Sequence, residues 1–185
     1  CAFCTISAHQ GKFIASRSKE SILKEVKSLI EMPDFKGYIS DLGGPSANMY
    51  KMKGKNQEIC LKCKKPSCLH PVVCPNLNSD HTPLLDIYKI VDSLKGIKKS
   101  FIGSGVRYDL LTHRHKDDEI NISTKKYTEE LISRHVSGRL KVAPEHTSDK
   151  VLEIMRKPSF KLFGDFKRTF ELINEEQGLK QQIVT

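Results

Sequence analysis

The sequence predicts an α/β fold of parallel strand–helix units, and two observations predict it. Segments carrying the 3.6-residue apolar period of helices alternate with short β-type runs along the chain. Three of those runs end in glycine-rich or polar phrases: Gly43-Gly44-Pro45, Ser104-Gly105-Val106-Arg107 and Glu145-His146. Parallel units joined by right-handed crossovers form either an open doubly wound sheet or a (β/α) barrel. In both, ligands sit at the C-terminal ends of the strands, so the three phrases are candidate walls of one site.

Each element has its own signal. Ser18 is placed to cap a helix over 19–31, where Ile22, Val26, Leu29 and Ile30 share a face and Pro33 stands just beyond the end. Residues 36–41 read as a buried strand. An irregular stretch of roughly 45–81 follows; so long a connection inside a compact domain is functional or metal-tied. Thr82 is expected to cap a helix with Pro83 in its first turn and Leu84, Ile87, Tyr88, Val91 and Leu94 on its apolar side. A strand over 97–103 leads to Ser104–Asp109, and a polar stretch separates it from a helix near 127–135. Residues 140–143 form the next short strand. Thr147 or Ser148 caps a helix that stops at Pro158, Phe163, Phe166, Phe170 and Ile173 mark another, and residues 182–185 start a further strand. No internal repeat and no low-complexity segment interrupts this order.

The 185 residues suffice for one domain with its own core. No apolar run approaches the roughly 20 residues of a membrane span, and no signal-peptide pattern is present. Lys and Arg number 31 against 22 Asp and Glu, a formal net charge of +9. That balance favours an anionic partner such as nucleic acid or a phosphate-rich substrate. The lysines are spread out, however, with local clusters only at Lys62-Lys64-Lys65 and Lys95-Lys98-Lys99. A solvated basic surface accounts for most of them.

The six cysteines fall into two tight groups, Cys1 with Cys4 and Cys60, Cys63, Cys68 with Cys74. Grouping without a secretion signal points to metal or cluster ligation in a reducing cytosol rather than to a disulfide scaffold. The first pair is ambiguous by itself. It suits a redox dithiol, half a zinc site or part of an iron–sulfur loop. A redox dithiol opens a helix directly, whereas Thr5–Gly11 reads as loop and the first helix is expected only near residue 19. The second group, with Pro66, Pro71 and Pro75 stiffening its turns, suits tetrahedral zinc or an auxiliary iron–sulfur cluster. Cys60 is either its fourth ligand or a local addition, and His70 and His81 are alternative ligands. His113 and His115 are weaker candidates for an anion contact, and Glu145-His146, at a strand end, for a substrate contact.

These residues carry a resemblance. Cys1-Ala2-Phe3-Cys4 resembles the end of the three-cysteine motif of radical S-adenosylmethionine (SAM) enzymes, C-x-x-x-C-x-aromatic-C, with Phe3 at the aromatic position. The phrases beginning at Arg17, Ile39, Leu94, Gly103 (Gly103-Ser-Gly-Val-Arg-Tyr-Asp109) and Leu140 (Leu140-Lys-Val-Ala-Pro-Glu-His-Thr147) are similar to the YgiQ-type radical SAM family. The resemblance runs through almost the whole chain.

It implies that residues 1–185 belong to a radical SAM core domain, a partial (β/α)6 TIM-like barrel truncated at both ends, with the Cys-rich insertion 45–81 after the second barrel strand. Cys1 and Cys4 would ligate a 4Fe–4S cluster, and SAM would complete the coordination. The reduced cluster would cleave SAM to a 5′-deoxyadenosyl radical, with flavodoxin or ferredoxin as electron donor. Phe3 would lie near the adenine, and Gly43 and Gly44 would approach the SAM amino group. Ser104, Arg107 and Glu145 would reach the ribose or carboxylate; Arg107 suits a carboxylate through its fork, or an ion pair tying the barrel rim. Many such enzymes place Glu where Pro45 stands. The motif's first cysteine would fall four residues before Cys1, so this chain alone is expected not to hold a stable cluster. The substrate is open, with RNA one candidate. The competing reading is a zinc-containing basic module that binds RNA through the lysines around Cys60–Cys74.

Overall fold

The computed structural model describes residues 3, 5–11, 13–44 and 46–185. In chain order its elements are α1 (Ile6–Gln10), α2 (Lys19–Ile30), β1 (Tyr38–Ile39), β2 (Lys53–Gly54), α3 (Gln57–Lys62), β3 (Leu77–Asn78), α4 (Thr82–Ser93) and β4 (Lys99–Ser100). There follow α5 (Tyr108–Thr112), α6 (Asp118–Glu130), a π-helical turn (Leu131–His135), β5 (Arg139–Lys141), α7 (Asp149–Ile154), α8 (Phe160–Glu176) and β6 (Gln182–Val184).

The two ladders of the main body are parallel, as the alternation of strands and helices requires. β1 pairs with β4 (Tyr38 opposite Lys99) and β5 with β6 (Arg139 opposite Gln182). Backbone bonds beyond the strand limits join them: Ile102 N–H donates to His135 O at 2.8 Å and Val106 N–H to Lys141 O at 3.1 Å. The succession β1, β4, β5, β6 is therefore also the chain order, with helices in every crossover. The described strands form small sheets and do not close into a barrel.

One apolar core lies between strands and helices. It joins Val26 of α2, Ile39 of β1, Ile87, Tyr88 and Val91 of α4, Leu140 of β5, and Phe166 and Phe170 of α8. Each large side chain so buried contributes roughly 1.5–3 kcal/mol. Ser18 caps α2 as expected, its hydroxyl accepting from Ser21 N–H. Gly96, at φ +105, turns the chain between α4 and β4 where a Cβ would stand 2.7 Å from Ile30 Cγ2.

Four local expectations are corrected. Thr5–Gly11 is not loop throughout, since Ile6–Gln10 makes one helical turn. The helix expected near 127–135 begins at Asp118, capped by Asp117, and ends in the π turn. Its first half buries Ser123 and Thr124 as well as Ile120, and the Ser123 and Thr128 hydroxyls bond back to the carbonyls of Ile120 and Thr124. A hydroxyl satisfied within its own helix can be buried without an apolar period to announce it. Within the stretch expected to be irregular, the described residues 46–81 are also ordered: β2 and β3 pair antiparallel around α3, and Asn76 bonds both the N–H and the C=O of Asn56. A separate small core of Met52, Leu69, Leu77 and Leu110 lies beneath it. Finally, Thr82 does not cap α4. His81 occupies that position, and the Thr82 N–H and hydroxyl both donate to Asp80 Oδ1.

Candidate functional site

Beyond the C-terminal ends of β1, β4 and β5, Gly43-Gly44, Ser104–Arg107 and Glu145 line one rim. Asp41, just past β1, accepts from Gly103 N–H at 3.0 Å and from the Ser104 hydroxyl, so the first two strand ends are tied by one carboxylate. Gly43 lies inside this knot; a Cβ there would meet Asp41 Oδ1 at 2.6 Å and Ser104 Oγ at 3.1 Å. A Cβ on Gly44 would meet nothing within 4 Å. Gly43 is thus required by packing, while Gly44 borders open space.

Ala47 N–H bonds Gly105 O, and the buried Asn48 clamps the next turn. Its Oδ1 accepts from Arg107 N–H at 2.7 Å and its Nδ2 donates to Arg107 O at 3.1 Å. Arg107 Nε donates to Asp109 Oδ1 at 2.9 Å and its Nη2 to Oδ2, so one edge of the fork is engaged by the ion-pair partner two residues on. Between them Tyr108 is 3% exposed, its hydroxyl has no hydrogen-bond partner among the described residues, and burial followed by Asp109 pushes it up to about 12.

Glu145, past β5, has φ +68 and pairs with Lys157 Nζ at 3.2 Å. Lys157, 7% exposed, also donates to Ala143 O at 3.0 Å, and its ammonium stands 3.7 Å from the centroid of the Phe3 ring. Burial lowers its affinity for a proton, an effect that the Glu145 carboxylate opposes. Phe3 therefore joins the rim. Cys1 and Cys4, the expected cluster ligands on either side of it, lie outside the described residues, as does Pro45.

The second cysteine group is gathered but not converged. Cys60, Cys63, Cys68 and Cys74 carry no disulfide. Burial, and then the neighbouring Cys74, Cys60 and Cys63, push the Cys68 thiol up. Asn76 Nδ2 lies 3.3 Å from Cys60 Sγ. Among the described residues no three of the His, Cys, Asp and Glu side chains are arranged as a ready metal site. The donor set suits zinc or an iron–sulfur cluster in chemistry, while the thiols stand as neighbours rather than as a coordination sphere. A cavity of about 580 Å³ separates this region from the end of α7, lined among others by His70, Val72, Cys74, Ile154 and Arg156. The end of α7 thus carries two contacts side by side: Arg156 lines the cavity with Cys74, and Lys157 stands over Phe3.

The histidines separate from the site. His81 is 1% exposed and stacks on Tyr127, with ring centroids 4.6 Å apart, so it packs in the interior and is not a ligand of the second group. His115 is a loop staple: its Nδ1 accepts from Asp117 N–H, and Asn121 bonds its backbone on both sides. His113 lies beside it, its pKa lowered by burial and then by His115. His146 holds the following turn, its Nδ1 accepting from Ser148 N–H at 2.8 Å. Asn48, Tyr108, Asp109 and Lys157 were missed as site residues. Asn48 and the Tyr-Asp pair lie inside phrases that carried the resemblance, but Lys157 lies in none.

Known proteins match the chain from end to end. It is 73% identical over 184 residues to a UPF0313 protein of Bacteroides thetaiotaomicron and 65% identical over 184 residues to one of Porphyromonas gingivalis. It is 42% identical over 185 residues to the UPF0313 protein YgiQ of Salmonella typhimurium. All of this chain is covered in each case, but it spans only 30%, 29% and 24% of those proteins' own lengths. No family model and no solved structure matches it. The phrases that line the rim are thus borne on a chain that belongs to the UPF0313 family, the family of YgiQ.

Proposed function

We propose that this chain is the SAM-facing part of a radical SAM enzyme, belonging to a partial (β/α)6 barrel whose strand ends hold the cofactors. The observation that carries the reading is the contact of Phe3 with Lys157 and, through it, with Glu145. It draws the aromatic that stands between Cys1 and Cys4 to the same rim as Gly43, Ser104 and Arg107. A reduced 4Fe–4S cluster with SAM would supply a 5′-deoxyadenosyl radical there. The chain's own residues would do the rest: Gly44 leaves room for a backbone approach, the Asp41–Ser104 tie fixes two strand ends, and the buried Tyr108 offers a hydroxyl that has no partner among the described residues. Arg107 and Lys157 give the rim two cations for a carboxylate or phosphate, each held by an acid that limits its reach.

The four thiols of the second group are proposed ligands of zinc or an auxiliary cluster. The substrate is proposed to be anionic, with RNA a candidate on account of the net charge of +9. No helix among the described residues is long and apolar enough to cross a membrane, and a cytoplasmic enzyme served by flavodoxin or ferredoxin fits the cysteine chemistry.

The test is the full-length protein purified without oxygen and mixed with SAM and a reductant. A brown protein that yields 5′-deoxyadenosine or methionine is the expected result. A colourless, zinc-only protein that binds RNA and leaves SAM intact would replace this reading with a basic zinc module.

A further inference from the structure

We propose that Lys157 is a positioning residue that pins the segment carrying Phe3 onto the C-terminal end of β5. The role starts in the local fold. After α7, Lys157 N–H donates to Leu152 O at 2.8 Å and Arg156 N–H to Glu153 O at 3.0 Å, while Arg156 adopts φ +56. This is the six-to-one and five-to-two pattern that ends many helices, with Arg156 at the left-handed position usually given to glycine. Pro158 follows and prevents the helix from continuing. Lys157 is therefore delivered by a tight backbone turn rather than by a mobile loop.

Glu145, its ion-pair partner, stands at φ +68. Two of the three left-handed non-glycine residues among those described thus flank one ion pair. Such conformations persist where the surroundings over-determine them, and they gather where geometry must be held. Lys157 is then fixed from three sides: Ala143 O, Glu145 Oε1 and its own helix end.

The opposite partner has little of its own to hold it. Phe3 is 39% exposed and Ile6 44% exposed, and α1 is a single turn whose backbone bonds are local, Ala8 and His9 N–H to Thr5 O. Among the described residues, the next hydrogen bonds from this segment to the body are at residues 16 and 17, Lys51 N–H to Ser16 Oγ and the Tyr50 hydroxyl to Arg17 O. An ammonium held over an aromatic face is an attraction that survives partial exposure, and here the cation is pre-positioned, so the ring gives up the freedom. The contact sets where Phe3 stands relative to Glu145. Its consequence for a cluster rests on the radical SAM reading; the contact itself does not.

The experiment measures backbone amide exchange in the full-length protein with no iron or SAM added, comparing wild type, K157M, K157R and F3L. In K157M, peptides spanning residues 3–11 are expected to exchange roughly 3- to 30-fold faster, while peptides of α8 stay as in wild type. F3L should reproduce this, the double variant should add nothing further, and K157R should restore protection because guanidinium both stacks and pairs. Unchanged exchange over 3–11, or an equal rise in α8, would overturn the proposal by making Lys157 a general stabiliser. If K157M does not fold, F3L carries the same two outcomes. Absence of SAM cleavage with the expected exchange pattern would sink only the enzymatic reading.

Discussion

Asp109 carries the tightest electrostatic constraint on the rim. Its side chain is 3% exposed and accepts two hydrogen bonds from an Arg107 guanidinium that is itself 16% exposed. Breaking such a pair by removing one member typically costs about 3–5 kcal/mol, whereas replacing both is far milder. Asp109→Asn is therefore expected to lower stability by about 3 kcal/mol or more in chemical denaturation, with Arg107→Met/Asp109→Leu recovering much of the loss. A cost below about 1 kcal/mol would mark the pair as an ordinary surface contact. At this scale the sequence was partly readable. Gly43, Ser104, Arg107 and Glu145 stood out because they follow strand-like runs. Lys157 did not, because a lysine before a proline at a helix stop looks like any solvated lysine until the fold sets Phe3 on it.

Between elements, the most informative contact is the one α4 makes with α6. His81 at the start of α4 is buried against Tyr127 of α6, with Nδ1 3.2 Å from Thr124 Oγ1 and Nε2 unpartnered among the described residues. Burial holds its pKa down at about 4, with Asp80 opposing. The folded state thus binds fewer protons than the unfolded chain between about pH 6.5 and pH 4, so stability is full above the unfolded value and falls as the pH drops through that window. The loss attributable to His81 is on the order of 3 kcal/mol. It is expected to vanish in His81→Phe, and an unchanged acid limb in that variant would assign the loss to other groups. α6 itself was half hidden in the sequence, because Ser123, Thr124 and Thr128 occupy its buried face. The Cys-rich stretch hid its order differently, since its closure depends on Asn56 and Asn76, twenty residues apart.

For the molecule as a whole, the proposed ligation divides between the two cysteine groups, and substitutions in each test it separately. In the full-length protein, Cys68→Ser/Cys74→Ser is expected to remove one metal centre by elemental analysis while leaving iron bound through the first group. Cys4→Ser should do the reverse. Metal content unaffected by the Cys68/Cys74 pair would make the second group a set of structural thiols. The two groups are expected to respond separately because the end of α7 and its cavity of about 580 Å³ stand beside the second group, and Lys157 stands over Phe3.

By itself the sequence determined the alternation of helices and parallel strands, the helix stops, the grouping of cysteines and the phrases at the strand ends. All of these are local: a periodic face, a cap, a turn or a run of ligand-type residues can be read within a dozen positions. Only the tertiary structure decided which of those phrases meet. The Asp41–Ser104 tie, the Asn48 clamp on Arg107, the withdrawal of His81 into the interior and the meeting of Phe3 with Lys157 all join residues more than 40 positions apart. Such contacts depend on the order in which strands lie side by side and on where each helix ends, quantities to which no single stretch of chain is sensitive.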